Sequence, residues 1–418
     1  MKSMSELSIA IIGSGIIGAS TALALLDDRH AVTLLERNEP GSGASSGNAG
    51  VIVNGSCVPT AMPGIVMDAL GMISQPLPPL SIKASYFPKA LPWLVRFMLE
   101  SRSSRVLQNA INLHALTCRA TEGWRKLTDN TELTHLLRES GWLKVYESSQ
   151  SFADTTAARR LMDEMNTPFE ILDADEIQSL EPNLAPIFNH GIFQRDSLSI
   201  TNPKRMVQAM VDLFVRRGGD YRQFNVEGID ISTTDKKVSI RNPQGAMLVD
   251  KVIIAAGAWS RKLAKQIGDD MPLESERGYH LMLPASSCDL LSRPVVNGDY
   301  SFVLSPMEEG LRMTSQVEIA GLEARPDYRR VRSLLPEVRR MLPEVEATEE
   351  SVWLGFRPSL PDSLPVLGFA SKTDKVLYAF GHQHLGMTLG PITAMILSDL
   401  LAGRESGMDL APYRVDRF

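Results

Sequence analysis

Apolar residues run from Ile9 to Ile12, give way to the glycine-rich GSG, and resume from Ile16 to Leu26 with small residues among them. A short, wholly apolar run suits a strand covered on both faces, and the longer run after the glycines suits a buried helix. The next segment, AVTLLE, is a second apolar strand that ends on Glu36. Strand, glycine turn, helix and a strand closing on an acid make up a dinucleotide-binding βαβ unit.

Beyond residue 55 the pattern changes. Residues 59–97 are rich in proline and apolar residues and predict irregular connections and short helices. Within them Trp93, Leu94, Phe97 and Met98 share one helical face, which suits a core and also a membrane or partner contact. Residues 103–139 read as helical, 142–146 as a strand, 154–166 as a helix, and DADEIQSLEPNL as a short helix ending at Pro182. In TNPKRMVQAMVDLFVRRGG, Asn202 suits a cap, Pro203 the first turn, and Gly218 the stop. The strands FNVEGID and VDKVIIAAG then return to the opening pattern. Residues 271–350 alternate, as in YHLMLP, YSFVLSP and LRMTSQVE, which suits an antiparallel sheet. The last stretch, KVLYAFGHQHLGMTLGPITAMILSDLLAG, is strand, glycine-rich loop and helix.

The sequence thus predicts an α/β fold in which a Rossmann-like domain (1–60, 195–270 and 352–418) is interleaved with an α+β substrate domain built on an antiparallel sheet (61–194 and 271–351). A length of 418 residues agrees with two domains. A formal charge of −6 argues against a nucleic-acid surface. Cys57, Cys118 and Cys288 lie far apart, with no spacing that suggests disulfides or a metal site, and a reducing cytoplasm fits them. The apolar opening has neither a basic leader nor a cleavage site, so the expected location is cytoplasmic, with a peripheral contact at the inner face of the membrane left open.

The glycine motif has a physical reason at each position. Gly13 permits the tight turn, Gly15 lets backbone approach a pyrophosphate, and Gly18 lets the helix pack on the strands. The helix N-terminus offers unpaired N–H groups to phosphates. Glu36 suits ribose hydroxyls and repels a 2′-phosphate. After Arg37, the segment GSGASSGNAG (41–50) lets backbone N–H groups line a concavity, with the hydroxyls of Ser45 and Ser46 in reach of phosphate.

With GSGIIG and Glu36-Arg37, SSGNAG, IIAAGAWS, and above all GFRPSLPDSLPVLG followed by GHQHLGMTLGP, the chain resembles the D-amino-acid oxidase superfamily of flavoenzymes. Within it the likeness is nearest to bacterial D-amino-acid dehydrogenases, with glycine and sarcosine oxidases more distant. The resemblance implies FAD, bound non-covalently, since no cysteine lies in the C-terminal motif. It assigns Gly13, Ser14, Gly15, Ile17, Gly18, Glu36 and Arg37 to the ADP half and Ser45 and Ser46 to the pyrophosphate. Asn48, Ala49, Gly50 and Val51 fall beside the isoalloxazine, and Val226 near the adenine. Ala255, Ala256, Gly257 and Trp259 form a second cofactor turn. Gly381, Leu385, Gly386, Met387 and Thr388 lead into the last helix, whose positive end would steady charge on reduced flavin.

The resemblance further makes Arg357 the clamp for a substrate carboxylate, against the plain alternative of a salt bridge with Asp362. Tyr300 corresponds to a tyrosine that assists carboxylate binding, and Tyr279 is a second candidate, as a cover over the flavin. His384 stands where glycine oxidase has a second arginine, so a second fixed positive charge is expected to be missing; His382 is expected to be structural. The implied reaction is oxidative deamination of D-amino or secondary amino or imino acids. Hydride leaves Cα for flavin N5, and the resulting imine hydrolyses to a 2-oxo acid. Substrates left open are neutral D-amino acids, D-hydroxyproline, N-alkyl glycines and iminodiacids; acceptors left open are quinone, an electron-transfer partner or oxygen. The alternatives are an NAD-linked dehydrogenase sharing only the βαβ unit, and a redox-silent FAD-binding partner protein.

Overall fold

The computed structural model describes residues 6–64, 80–231 and 237–418. The opening pattern forms as expected, with strand Ser8–Ile12, helix Ile16–Asp27 and strand Ala31–Glu36. These two strands lie inside a six-stranded sheet, flanked by Asp220–Gln223 on one side and by Lys251–Ile254, Thr373–Phe380 and Val366–Ala370 on the other. The first five strands run parallel, and Val366–Ala370 closes the edge antiparallel. Such a sheet must be covered on both faces. Helices Ile16–Asp27, Pro203–Arg216 and Gly386–Ala402 share one core with it, while helix Ser260–Ile267 and a three-stranded sheet (Gly228–Ile231, Val238–Asn242, Gly245–Val249) cover the other face.

The alternating segments form a nine-stranded sheet. Ser351–Ser359 forms one edge and is followed by Glu274–Leu283, Gly310–Ile319 and Phe302–Met307, all antiparallel, with Leu80–Ile82 pairing parallel to the end of Gly310–Ile319. Val295–Asn297, Trp142–Tyr146, His190–Gln194 and Glu170–Leu172 continue it. Strand Ser351–Ser359, expected with the nucleotide-binding part from residue 352, pairs here instead, along Glu274–Met282. It therefore carries Arg357 on the same sheet as the alternating segments.

Local chemistry explains where helices differ from expectation. The stretch at 154–166 is two helices, Ser149–Asp154 and Thr156–Glu164. Thr155 and Thr156 turn their hydroxyls back to the carbonyls of Phe152 and Ala153, and this bonding competes with the helix ladder. In the proline-rich region, 65–79 lie outside the described residues, and Phe87–Glu100 is a full helix. Pro88 sits exposed in its first turn, and Pro92 leaves the Pro88 carbonyl without its intrahelical donor. Asn202 caps its helix as expected, accepting from the Arg205 N–H at 3.0 Å.

Candidate active site

A cavity of about 1930 Å³ lies between the C-terminal ends of the parallel strands and one face of the nine-stranded sheet. At the parallel end, Gly13 turns with φ 105°, and a Cβ there would lie 2.5 Å from the Ala255 carbonyl oxygen. A Cβ on Gly18 would lie 1.8 Å from the Gly13 carbonyl oxygen, so the helix packs against the turn as the motif requires. Glu36 is fixed by the N–H and hydroxyl of Ser14, at 2.8 and 3.1 Å. Beside it, the Arg37 guanidinium stacks 3.9 Å above the Trp259 ring. Arg37, Trp259 and Val226 all border the cavity, as do Gly13, Gly15, Ile17 and Glu36.

The segment 45–50 forms the middle of the wall. The Ser45 hydroxyl accepts from the Ile16 N–H at 3.0 Å, and Asn48 bridges the Ser45 carbonyl and the Gly50 N–H. Three residues of the opposite sheet hold this loop. Arg312 donates to the carbonyls of Ser46 and Asn48 at 3.1 and 3.0 Å. His280 bonds the Gly47 carbonyl at 2.9 Å, and the Trp353 ring packs where a Cβ on Gly47 would stand. Burial and Arg312 push the pKa of His280 down to about 4, so its ring is neutral at pH 7. The sequence offered no signal for these three, since each is a single polar or aromatic position in an alternating strand.

At the far end, Leu385, Gly386, Met387 and Thr388 bring the uncapped N-terminus of helix Gly386–Ala402 to the cavity. The Trp124 indole fixes this turn by donating to the Met387 carbonyl at 2.8 Å. Asn48, Ala49, Gly50, Val51, Ala255, Ala256 and Gly257 line the wall too. Ser14, Gly18, Ser46 and Gly381, also expected at the cofactor, do not border the cavity. None of the three cysteines borders the cavity.

Arg357 reaches this cavity from strand Ser351–Ser359. Its guanidinium occupies space left by Gly278, where a Cβ would approach to 2.4 Å, and donates to the Gln316 carbonyl at 3.1 Å. Gln316 adopts φ 67°, and this irregularity in strand Gly310–Ile319 accompanies the carbonyl that holds the arginine. Asp362 is bound to Arg417 at 2.7 Å, so it is not the partner of Arg357. His384 faces the cavity near Arg357 and Lys144; burial and these two cations push its pKa down to about 4. Lys144 does not border the cavity, and burial lowers its pKa. His382 is buried and bonds the Thr393 hydroxyl at 3.0 Å, and it also borders the cavity.

The two tyrosines differ from expectation. Tyr300 lies at the surface, 36% exposed, with the Arg340 guanidinium over its ring, and it is not part of the cavity wall. The preceding turn carries it there, because the Asn297 side chain fixes its N–H at 3.1 Å. Tyr279 borders the cavity, but its ring belongs to the core behind the sheet and its hydroxyl donates to Glu318 at 2.6 Å. Alternation decides this outcome: Gly278 and His280 take the cavity face, so Tyr279 takes the other.

The gap left by the glycines, the fixed Glu36 carboxylate and the uncapped helix end fit FAD. Residues 8–400 match the sequence profile of the family described as "DAO: FAD dependent oxidoreductase". The chain belongs to the DAO family of FAD-dependent oxidoreductases. It is 34% identical over 417 residues to a D-amino-acid oxidase of Bradyrhizobium diazoefficiens, covering 98% of both chains. It is 26% identical to a D-amino acid dehydrogenase of Rhizobium rhizogenes, over 99% of this chain and 100% of that one. Among solved structures, glycine oxidase from Geobacillus kaustophilus superposes with a TM-score of 0.72 at 22% identity, covering 99% of each chain. In this DAO-family protein the sequence expectation of FAD, rather than NAD, holds.

Proposed function

We propose that this flavoenzyme oxidises D-amino acids, or closely related secondary amino acids, to imines that hydrolyse to 2-oxo acids. The observation that carries the reading is Arg357: a guanidinium on the cavity wall, held by one backbone carbonyl and free of Asp362. Two parallel hydrogen bonds from it would fix a substrate carboxylate in place and in orientation. Bound FAD supplies the hydride acceptor. The substrate would then lie between Arg357, His384 and the 48–51 backbone. Neutral His384 adds no fixed charge and can accept or donate a hydrogen bond.

The names of the curated relatives favour D-amino acids. Anaerobic mixing with a panel of D-amino acids, N-alkyl glycines and iminodiacids, read by flavin absorbance, tests the proposal. Bleaching by D-amino acids is expected; bleaching by none of the panel rejects it and leaves the redox-silent reading.

For the acceptor we propose a membrane quinone, reached through peripheral contact. Phe87, Leu91, Val95, Met98 and Leu99 are 40–46% exposed on one helix, and Leu107 and Ile111 on the next are 41% and 43% exposed. Exposed Lys83, Lys89, Arg96, Arg102 and Arg105 accompany them. An apolar stripe with a basic rim suits an anionic bilayer surface. Phe87, Leu91 and Met98 of the stripe border the cavity, as do Leu94 and Phe97 of the same helix, which puts the stripe beside the site. Of the face expected at 93–98, Trp93 is buried and Met98 exposed, so the outward stripe is rotated from it. No helix among the described residues is long and apolar enough to cross a membrane.

A further inference from the structure

We propose that Glu276 is a further catalytic residue, which binds the α-ammonium group of the substrate and takes its proton. The assignment rests on the reading of Arg357 as the carboxylate clamp. Glu276 pairs with Arg357 across adjacent strands, and such partners point to the same face. Both border the cavity, and Glu276 is only 8% exposed. The Arg357 guanidinium leans over Gly278, two positions along the strand from Glu276, so the two charges lie side by side without a direct hydrogen bond or ion pair.

Opposite charges buried next to each other normally close into a pair, because each left alone bears a desolvation penalty. Here Gly278 offers the guanidinium another resting place. An amino acid is a zwitterion whose carboxylate and ammonium are separated by one carbon. Laid across this couple, it gives Arg357 a carboxylate and Glu276 an ammonium, so both buried charges gain their partners at once. A simple carboxylic acid satisfies only Arg357 and meets the repulsion of Glu276.

The same contact addresses a chemical need. Hydride can leave Cα only when the nitrogen lone pair is free, whereas amino acids carry –NH3+ at neutral pH. Transfer of one proton from nitrogen to the Glu276 carboxylate breaks an N–H bond, forms an O–H bond and leaves the electron pair on nitrogen. Burial raises the proton affinity of Glu276, opposed by Arg357 and the Ser359 hydroxyl and reinforced by Glu274. Glu274 is itself bound to the Tyr86 hydroxyl at 3.1 Å, and His384 stands beyond Arg357.

The test compares two ligands of the FAD-loaded protein: the D-amino acid that bleaches the flavin fastest, and the carboxylic acid that lacks its amino group. In Glu276→Gln the dissociation constant of the amino acid should rise at least about tenfold, while that of the deaminated acid stays level or falls. In the variant the bleaching rate should become more steeply pH-dependent above neutrality than in the unaltered protein and climb toward the pKa of the free amine. Unchanged binding of the amino acid, or equal losses for both ligands, overturns the proposal. Failure of the clamp reading looks different, since Arg357→Gln would then leave the deaminated acid bound as before. If Glu276→Gln does not retain FAD, the unaltered protein still decides: the deaminated acid should bind more tightly as falling pH neutralises Glu276, and the amino acid should not. Equal pH slopes for the two overturn the assignment.

Discussion

Arg357 stands on a glycine. With Gly278 beneath it, the guanidinium reaches the Gln316 carbonyl; with any side chain there it has to move. Gly278→Ala should therefore weaken carboxylate binding while the sheet still forms, seen as a raised KM with FAD content unchanged. Arg357→Gln should cost about 3 kcal/mol of carboxylate binding, roughly a hundredfold in KM, because a charged hydrogen-bonding partner is lost from a buried site. An unchanged KM in steady-state assays would refute the clamp. Arg357 was legible in the sequence because it stands in GFRP, a motif with a family likeness. Tyr300 and Tyr279 were placed by resemblance on strand positions, and a strand's period of two sends a side chain to the opposite face after one step. Gln316, Gly278 and Glu276 carry no sequence signal; they matter through neighbours brought from other strands.

Among elements, the 45–50 loop shows how one sheet grips the other. Its backbone carbonyls are held by Arg312 and His280 from the nine-stranded sheet, and Trp353 covers its glycine. Arg312→Met removes two charge-assisted bonds and leaves the carbonyls of Ser46 and Asn48 unpaired, at a cost of about 2–3 kcal/mol. Loss of FAD during gel filtration, measured by the ratio of flavin to protein absorbance, should increase in this variant. The composition of GSGASSGNAG already marked the loop as a concave ligand surface. What grips it was not legible, because an isolated arginine in an alternating strand reads as a solvent-facing position. Strand Ser351–Ser359 was placed in the wrong sheet for a related reason: its sequence suits either, and only pairing with Glu274–Met282 decides.

For the whole molecule, the βαβ opening, the antiparallel middle and the returning C-terminal unit were legible from periodicity and glycine placement. Their assembly into one cavity was not, since it depends on contacts hundreds of residues apart. Two consequences concern the molecule as a unit. His382 is buried with its pKa pushed down to about 3, and His280 to about 4, so both are neutral in the fold and protonate readily when unfolded. Stability is then full above the ordinary histidine value of 6.5 and declines as pH falls toward 4, by about 1.4 kcal/mol for each unit of separation that is titrated. Thermal melts across this interval should show the decline, and His382→Asn should flatten it. Separately, the exposed stripe of Leu91, Val95 and Leu99 should bring the protein down with anionic vesicles; a Val95→Glu, Leu99→Glu double variant, at two positions that do not border the cavity, should remain in the supernatant with activity toward a soluble dye intact.

The first helix and the last are packed so closely that a Cβ on Gly390 would stand 2.8 Å from Ile16. Gly13 and Gly386, which border the same cavity, are thus at opposite ends of the order in which a ribosome makes the chain. During synthesis the opening βαβ unit emerges first but lacks the neighbouring strand Lys251–Ile254 and the closing helix Gly386–Ala402. The nascent protein therefore lacks one wall of the flavin site until residues 385–388 have been made, and a product terminated before them should be colourless and vulnerable to proteases. In a cell, a shortage of the cofactor would be felt only once helix Gly386–Ala402 has been made, when the fold first has a place for it.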